Sequence, residues 1–232
     1  MLFKQLFDPV SSTYSYLIAA DSGEAVLIDP VYELVGRDLA LLEENNLKLV
    51  WVLDTHVHAD HVTGANALKA ATGAQSAVGD GCKASGFDHQ LNDGDEIRFG
   101  GEVIRIIATP GHTHGSVSYL WRDRVFTGDA LLIGGCGRTD FQAGDPDLLY
   151  HSITAKLFNL EDEVLVYPGH DYKGRRVSSI GEEKALNPRL AGRSREEFIG
   201  IMNALNLPTP RLIDIAVPAN LVGGTASPIV RN

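Results

Sequence analysis

Residues 54–61 read DTHVHADH and follow directly on the apolar run Leu49–Leu53. The run holds three histidines and two aspartates, side chains that bind zinc, iron and manganese. The chain has two cysteines, Cys82 and Cys136, which stand far apart and form no CxxC pair. A thiolate site for structural zinc is therefore not expected. The run instead predicts a metal centre made of imidazole and carboxylate groups.

The same order of apolar run, turn and metal-binding side chain recurs along the chain. Asp29, His112, Asp129 and His170 each follow a short apolar segment that we predict to be a β-strand. Ligand sites are commonly built at strand ends, because a rigid sheet directs several short loops to one place. The predicted strands are Tyr14–Ala19, Ala25–Asp29, Leu49–Leu53, Gln75–Val78, Glu102–Ala108, Ser116–Trp121, Arg124–Thr127 and Val164–Tyr167.

Helical patterns alternate with these strands. We predict helices over Arg37–Asn45 and Thr63–Thr72, a third from Asp145 to Phe158 and a fourth from Ser194 to Leu205. Asp145 with Pro146 is typical of a helix start, and Ser194 with Glu197 forms a capping box. Buried strands mixed with helices indicate a layered α/β domain. The proline-punctuated tail from Asn206 is expected to run irregularly over the surface.

Composition narrows the class of protein. A chain of 232 residues that is 44% hydrophobic and 22% charged is typical of a globular domain, so disorder is excluded. The net charge of −10 argues against a nucleic-acid or anionic-lipid surface. The first residues lack a signal or transit pattern, and no apolar run approaches the ~20 residues of a membrane span. We therefore expect a soluble cytoplasmic protein without nucleic-acid or membrane partners.

Some chemically capable residues lack the strand-end context. His114 could support the metal ligands or be a hydrogen-bonding loop residue, and we favour the loop role. His89 and His151 are expected to be surface or helix-packing residues. Cys136 has no general base beside it in sequence and is expected to be a small buried residue rather than a nucleophile. Its part in any sulfur chemistry is left open.

The pattern His56-x-His58-x-Asp60-His61, followed by His112, Asp129 and His170, resembles the metallo-β-lactamase superfamily over residues 26–170. The resemblance implies an α/β fold, the metallo-β-lactamase αββα sandwich of two mixed β-sheets with flanking helices. It also implies a metal site at one rim of the sandwich.

Two glutathione-linked branches of that superfamily share these donors, and the loops separate them. GCGRTDFQ (135–142), YPGHDYKG (167–174), EEKALNPRL (182–190) and DIAVPAN (214–220) resemble the persulfide (sulfur) dioxygenases. Glyoxalase II usually has different residues in the first two loops and a longer helical domain after the last histidine. We therefore expect a single domain over 1–232, with an extension over about 171–232 that contributes to the glutathione site.

The dioxygenase resemblance implies an Fe(II)-dependent enzyme that oxidises glutathione persulfide with O2 and water to sulfite and glutathione. One Fe(II) per chain would be held by the catalytic ligands His56, His112 and Asp129. His58, Asp60, His61 and His170 would orient ligands and water, or hold a second metal. Arg138, Tyr172 and Arg189 would bind glutathione, and a homodimer is expected.

The alternative is a hydroxyacylglutathione hydrolase of the glyoxalase II type with a dinuclear metal site. A β-lactamase, a nuclease and a non-catalytic sensor are weaker alternatives. The donor spacing alone fixes neither the metal nor the preferred persulfide.

Overall fold

The computed structural model describes residues 1–224, which group into two compact units. The first unit contains Met1–Gln90, Arg98–Glu102 and the segment from Thr209 onward. The second contains Leu91–Ile97 and Val103–Pro208. The predicted extension over about 171–232 ends in residues 225–232, which lie outside the described residues. That this extension contributes to the glutathione site stays a prediction.

The strands alternate with helices along the described chain. The strands are β1 Leu2–Asp8, β2 Thr13–Ala19, β3 Glu24–Ile28, β4 Lys48–Leu53, β5 Gln75–Gly79, β6 His89–Leu91, β7 Glu96–Phe99, β8 Glu102–Ala108, β9 Val117–Trp121, β10 Arg124–Gly128, β11 Leu165–Pro168 and β12 Ser178–Ser179. The α-helices are α1 Val35–Glu44, α2 Ala65–Thr72, α3 Pro146–His151, α4 Ile180–Leu186, α5 Arg195–Asn203 and α6 Ile213–Leu221.

The first sheet runs in the order β1 to β6. β1, β2 and β3 pair antiparallel, whereas β3, β4 and β5 pair parallel. Leu17, Leu27 and Val52 on these strands pack with Leu42 of α1 and Leu68 of α2, and all five are buried. Because β3 and β4 run parallel, Asp29 and the run 54–61 follow from the same edge of this sheet.

The second sheet runs in the order β12-β11-β10-β9-β8-β7. β8, β9 and β10 pair antiparallel in succession, and β10 pairs parallel with β11. β8, β10 and β11 therefore point the same way. His112, Asp129 and His170, which follow these strands, consequently emerge from one edge of this sheet.

The predicted elements agree with these bounds in most places. Asp145 accepts hydrogen bonds from the amides of Asp147 and Leu148, and Ser194 forms its capping box with Glu197. The predicted third helix changes character after α3, with a π-helical turn over Ser152–Lys156 and a 3-10 turn over Leu157–Asn159. α2 begins two residues after the predicted Thr63, whose hydroxyl donates to Asp54.

The expectation of an irregular tail was wrong for α6, which forms despite the internal Pro218. Ala216 and Asn220 on this helix are buried, and this packing outweighs the loss of one backbone donor. β1, β6, β7, β12 and α4 were not predicted, because each is short or lacks a clear apolar period. Among the described residues no helix has the length and apolar character needed to cross a membrane.

Candidate metal centre

In the first unit, Asp29 holds the first half of the donor run, the metal-binding residues 54–61, in place. Its Oδ1 accepts from the Thr55 amide at 2.7 Å and its Oδ2 from the Thr55 hydroxyl at 2.9 Å. Oδ1 also lies 3.1 Å from Nε2 of His58. Asp29 itself has φ +49, a left-handed conformation that an aspartate tolerates better than most residues. The carboxylate therefore fixes both the backbone and a histidine ring of the run.

These contacts assign the ring nitrogens of two histidines. The Thr55 hydroxyl gives its proton to Asp29, so Nδ1 of His56, 3.0 Å from that hydroxyl, donates and Nε2 carries the lone pair. Asp29 accepts a hydrogen bond from Nε2 of His58, so Nδ1 of His58 faces away from this carboxylate. Burial lowers the pKa of His58, but the Asp29 carboxylate outweighs it and raises the pKa to about 9.

Asp54 and Asn220 hold the two ends of the run. Asp54 accepts from the Thr63 hydroxyl at 3.0 Å, and burial raises its pKa to about 7. The Asn220 amide group donates to the carbonyls of His58 and His61, both at 2.9 Å, and its oxygen accepts from the Thr63 amide at 2.8 Å. Helix α6 is thus tied to the donor run through one buried asparagine.

The second unit brings His112, Asp129 and His170 together. Nε2 of His112 lies 3.5 Å from Oδ2 of Asp129, and Nε2 of His170 lies 3.6 Å from Oδ1. Nδ1 of His112 donates to the Arg138 carbonyl at 2.7 Å, so Nε2 keeps its lone pair. The two histidine nitrogens thus approach different oxygens of one carboxylate at distances too long for strong hydrogen bonds. Such spacing is typical of groups arranged around a common ion.

Two glycines allow this close approach. A Cβ on Gly137 would lie 2.4 Å from the Asp129 carbonyl oxygen and 2.7 Å from Nδ1 of His112. A Cβ on Gly169 would lie 2.7 Å from Oδ1 of Asp129. By contrast, a Cβ on Gly135 would meet nothing within 4 Å. Gly137 and Gly169 are therefore required by the donors beside them.

The loop from Gly134 to Gly137 is held by buried polar groups of α4 and the residues after it. Glu183 accepts from the Gly134 amide at 2.9 Å and from Asn187 at 2.8 Å. The Asn187 side chain also donates to the Gly135 carbonyl at 3.0 Å. Arg189 donates to the Cys136 carbonyl at 2.7 Å. This segment, quoted above only for its family resemblance, therefore supports the loop beside Asp129.

The three residues expected to bind glutathione lie in the second unit. Arg138 directs its planar fork at the Asp140 carboxylate, with two contacts of 2.6 Å, and donates to the Pro208 carbonyl at 2.7 Å. Tyr172 is 75% exposed, and its ring stacks parallel to that of His170. The guanidinium group of Arg189 donates to the Cys136 carbonyl.

Burial agrees with the predictions for Cys136, His89 and His151, whereas the hydrogen-bonding role of His114 stays a prediction. Cys136 is buried, and burial raises the pKa of its thiol. His114, His89 and His151 are exposed. The Thr13 hydroxyl donates to Oδ2 of Asp60 at 3.0 Å. Sequence reasoning missed the supporting roles of Asn220, Glu183 and Thr13, because a polar side chain carries no local sign of its burial.

The residues fit a divalent metal ion on the evidence of their buried polar atoms. Among residues 1–224, Nδ1 of His58, Nε2 of His61 and Oδ1 of Asp129 are buried without a hydrogen-bond partner. Buried polar atoms are nearly always satisfied, so these atoms indicate a bound ion or water. The ligand atoms of His58, Asp60 and His61 lie within 4.8 Å of one another.

Comparison with known proteins identifies the family. The model of the metallo-β-lactamase superfamily matches residues 8–170. Mitochondrial persulfide dioxygenase ETHE1 of Mus musculus is 50% identical over 234 residues, spanning 98% of this chain and 91% of the mouse protein. The chain belongs to the persulfide dioxygenase family of that superfamily. The crystal structure of ETHE1 from Myxococcus xanthus is 59% identical with a TM-score of 0.94, and the match covers 97% of this chain and 100% of that one.

Membership of this family confirms the predicted fold class, an α/β metallo-β-lactamase fold of two mixed β-sheets with flanking helices. The alternative branch is less similar. Hydroxyacylglutathione hydrolase of Anaeromyxobacter dehalogenans is 39% identical over 161 residues, covering 68% of this chain and 61% of that protein. The preference for the dioxygenase branch, first drawn from the loops, is thereby confirmed.

Proposed function

We propose that this persulfide dioxygenase oxidises glutathione persulfide at one Fe(II) held by His56, His112 and Asp129. The similarity to a persulfide dioxygenase over 98% of the chain carries the proposal. Two histidines and one carboxylate are the ligand set of many non-haem Fe(II) oxygenases, and they leave positions open for substrate and O2. When bound, Fe(II) supplies the redox chemistry that d¹⁰ zinc lacks.

The electron balance of the reaction needs no further cofactor. Glutathione persulfide, O2 and water give glutathione, sulfite and two protons. The outer sulfur loses four electrons as it becomes sulfite, and one O2 accepts four. The S–S bond breaks, and the glutathione sulfur leaves as a thiolate that takes up a proton.

The chain's own residues present the ligands in the required protonation state. Nδ1 of His56 donates to Thr55, and Nδ1 of His112 donates to the Arg138 carbonyl. Each ring is thereby fixed with the lone pair of Nε2 available, the arrangement by which outer hydrogen bonds tune metal ligands. We assign to His58, Asp60, His61 and His170 the orientation of ligands and water.

Arg138, Tyr172 and Arg189 are proposed to hold glutathione. Guanidinium groups pair with the carboxylates of the peptide, and the exposed Tyr172 ring supplies a hydroxyl and an apolar face. For Arg138 this requires the substrate carboxylate to share or displace Asp140, its present partner. A homodimer and a cytoplasmic location stay predictions, and the name of the mouse relative places that protein in mitochondria.

A thioester hydrolase with two metal ions is the second candidate. It is supported by the retention of all seven donors and by the compact group formed by His58, Asp60 and His61. In such an enzyme the seven donors would hold two ions, which would supply water activation and polarisation of the thioester carbonyl.

The first experiment is O2-electrode uptake by protein reconstituted anaerobically with Fe(II), beside a zinc-loaded sample. On addition of glutathione persulfide we expect rapid O2 consumption with matching sulfite in the iron sample alone. An iron-loaded sample that consumes no O2 would reject the proposal. Hydrolysis of S-lactoylglutathione by the zinc sample would then support the second candidate.

A further inference from the structure

A buried carboxylate of α4 holds the start of the loop Gly134–Arg138. Oε2 of Glu183 accepts from the Gly134 amide at 2.9 Å and from the Asn187 side chain at 2.8 Å. Its Oε1 accepts from the Ser178 hydroxyl at 2.7 Å. Burial of a carboxylate is costly unless hydrogen bonds compensate for the lost water, and three donors do so here. Glu183 therefore has one well-defined position beside the loop.

The next two residues of the loop are held by side chains linked to this carboxylate. The Asn187 side chain also donates to the Gly135 carbonyl at 3.0 Å, and its Oδ1 accepts from the Arg189 amide at 3.1 Å. Arg189 in turn donates through Nη1 to the Cys136 carbonyl at 2.7 Å. Three hydrogen-bonded side chains thus hold three successive residues of the loop.

The other end of the loop contacts two of the proposed metal ligands. The Gly137 amide donates to the Asp129 carbonyl at 2.7 Å, and the Arg138 carbonyl accepts from Nδ1 of His112 at 2.7 Å. A Cβ on Gly137 would lie within 3 Å of both partners, so the backbone packs directly against them. A small shift of the loop would therefore move the carbonyl away from Nδ1.

We propose that Glu183 and Asn187 are positioning residues that keep the Arg138 carbonyl against Nδ1 of His112. The inference rests on the proposed function, in which Nε2 of His112 binds the metal ion. An acceptor at Nδ1 fixes the tautomer and the orientation of a metal-binding imidazole. Glu183 and Asn187 thereby act on the metal site through the backbone of the loop rather than as ligands.

Three variants separate the hydrogen bonds from the side chains that make them. Glu183→Ala removes the acceptor of Gly134, Asn187 and Ser178. Glu183→Gln keeps these contacts, because its oxygen can accept from Gly134 and Asn187 while its nitrogen donates to the Ser178 hydroxyl. Asn187→Ala removes the contact with Gly135 and leaves Glu183 in place. We therefore expect the alanine variants to release the loop and the glutamine variant to retain it.

The readout is the exchangeable Nδ1 proton of His112. Full-length metal-free protein is loaded with one equivalent of Co²⁺, and the paramagnetically shifted N–H signals are recorded by proton NMR in water. We expect a signal from His56 and one from His112 in the parent and in Glu183→Gln, since both rings donate from Nδ1. In Glu183→Ala and Asn187→Ala the His112 signal should broaden or vanish as its proton exchanges with water.

The His56 signal is the internal reference. Its acceptor is the Thr55 hydroxyl, which makes no contact with the loop, so this signal should persist in both alanine variants. Thr55→Val removes that acceptor and identifies which signal belongs to His56. Competition with a chromophoric chelator adds the affinity for Co²⁺, which we expect to fall by roughly 10–100-fold in Glu183→Ala and to match the parent in Glu183→Gln.

Ser179→Ala is the matched control for the stability of α4. The Ser179 hydroxyl accepts from the Glu182 amide and caps this helix, so its loss lowers the temperature of unfolding without removing a contact to the loop. We expect Ser179→Ala to keep both N–H signals and the parent's affinity. Thermal unfolding identifies any variant that fails to fold, and Asn187→Ala carries the test if Glu183→Ala does not fold.

The failures of the two proposals are distinguishable, because the N–H signals are recorded without substrate. If the iron-loaded parent consumes no O2 with glutathione persulfide, the proposed function fails. If the His112 signal is absent from the parent, or persists unchanged in both alanine variants, the inference about Glu183 and Asn187 fails. Loss of that signal in Glu183→Gln or in Ser179→Ala also overturns it, because the loss would then not follow the hydrogen bonds to the loop.

Discussion

The two units present their donors in contrasting ways. In the first unit the donors lie in one continuous run, 54–61, and buried polar side chains from elsewhere in that unit hold it in place. In the second unit His112, Asp129 and His170 come from the ends of three strands that point the same way. The placement of metal-binding side chains in a loop thus depends on individual hydrogen bonds. The placement of metal-binding side chains at strand ends depends on the sheet and on the glycines that allow their close approach.

The largest effect is expected where the second unit's donors meet. Asp129→Ala removes the carboxylate that both His112 and His170 approach. We expect bound iron to be lost together with activity, the latter by on the order of 10³-fold or more, since a metal contributes several kcal/mol to catalysis. Metal analysis and O2 uptake measure both. Asp123→Asn, at an exposed position where the carboxylate pairs with its neighbour Arg124, is the control. An iron-replete, active Asp129→Ala protein would reject the ligand assignment.

Gly137 and Gly135 lie on one loop and together test whether metal binding depends on the close approach of this loop to Asp129 and His112. Gly137→Ala places a Cβ against Asp129 and His112, whereas Gly135→Ala meets nothing. We expect Gly137→Ala to weaken metal binding by roughly 10–100-fold, the usual effect of disturbing the surroundings of metal ligands, and Gly135→Ala to bind as the parent does. Competition with a chromophoric chelator measures the affinity. Equal affinities would mean that the close approach does not set the donor geometry.

Asn220 tests the dependence of the first unit on distant polar side chains. Asn220→Ala removes three hydrogen bonds and leaves the carbonyls of His58 and His61 buried without this donor. We expect the free energy of unfolding to fall by about 3 kcal/mol, since each lost bond costs roughly 1 kcal/mol and buried groups lose partners. Urea unfolding measures it. Asn203→Ala, at an exposed position, should change stability by less than about 0.5 kcal/mol. Similar values for the two variants would contradict a stabilising role of the Asn220 hydrogen bonds.

Asp38 sharpens the comparison with Asp29, because both are buried but only Asp29 is fully partnered. Burial raises the pKa of Asp38 to about 6, although the charge of Arg37 beside it opposes the shift. The unfolded chain, with a lower pKa, loses this proton first as pH rises.

The contribution of Asp38 to stability should therefore fall between about pH 4 and pH 6, by on the order of 3 kcal/mol. Asp38→Asn should reduce the loss of stability over this pH range in urea unfolding, whereas Glu43→Gln, at an exposed position of the same helix, should leave it unchanged. An equal dependence on pH for the parent and Asp38→Asn would contradict the effect of burial.

The sequence alone determined the fold class and the family, and it predicted the residues that bind the metal. Strand and helix periods are local, and so the apolar runs ending in Asp29, His112, Asp129 and His170 could be recognised from neighbouring residues. The loop GCGRTDFQ also separated the dioxygenase branch from the hydrolase branch before any comparison.

Only the tertiary structure decided which side chains support the donors. Thr13, Asn220 and Glu183 contact residues far along the chain, and a polar residue gives no local sign that it will be buried beside a donor. The guanidinium group of Arg138 was likewise expected to bind the substrate, whereas in the fold it pairs with Asp140. Burial and long-range hydrogen bonds arise from packing, which is why no sequence period encodes them.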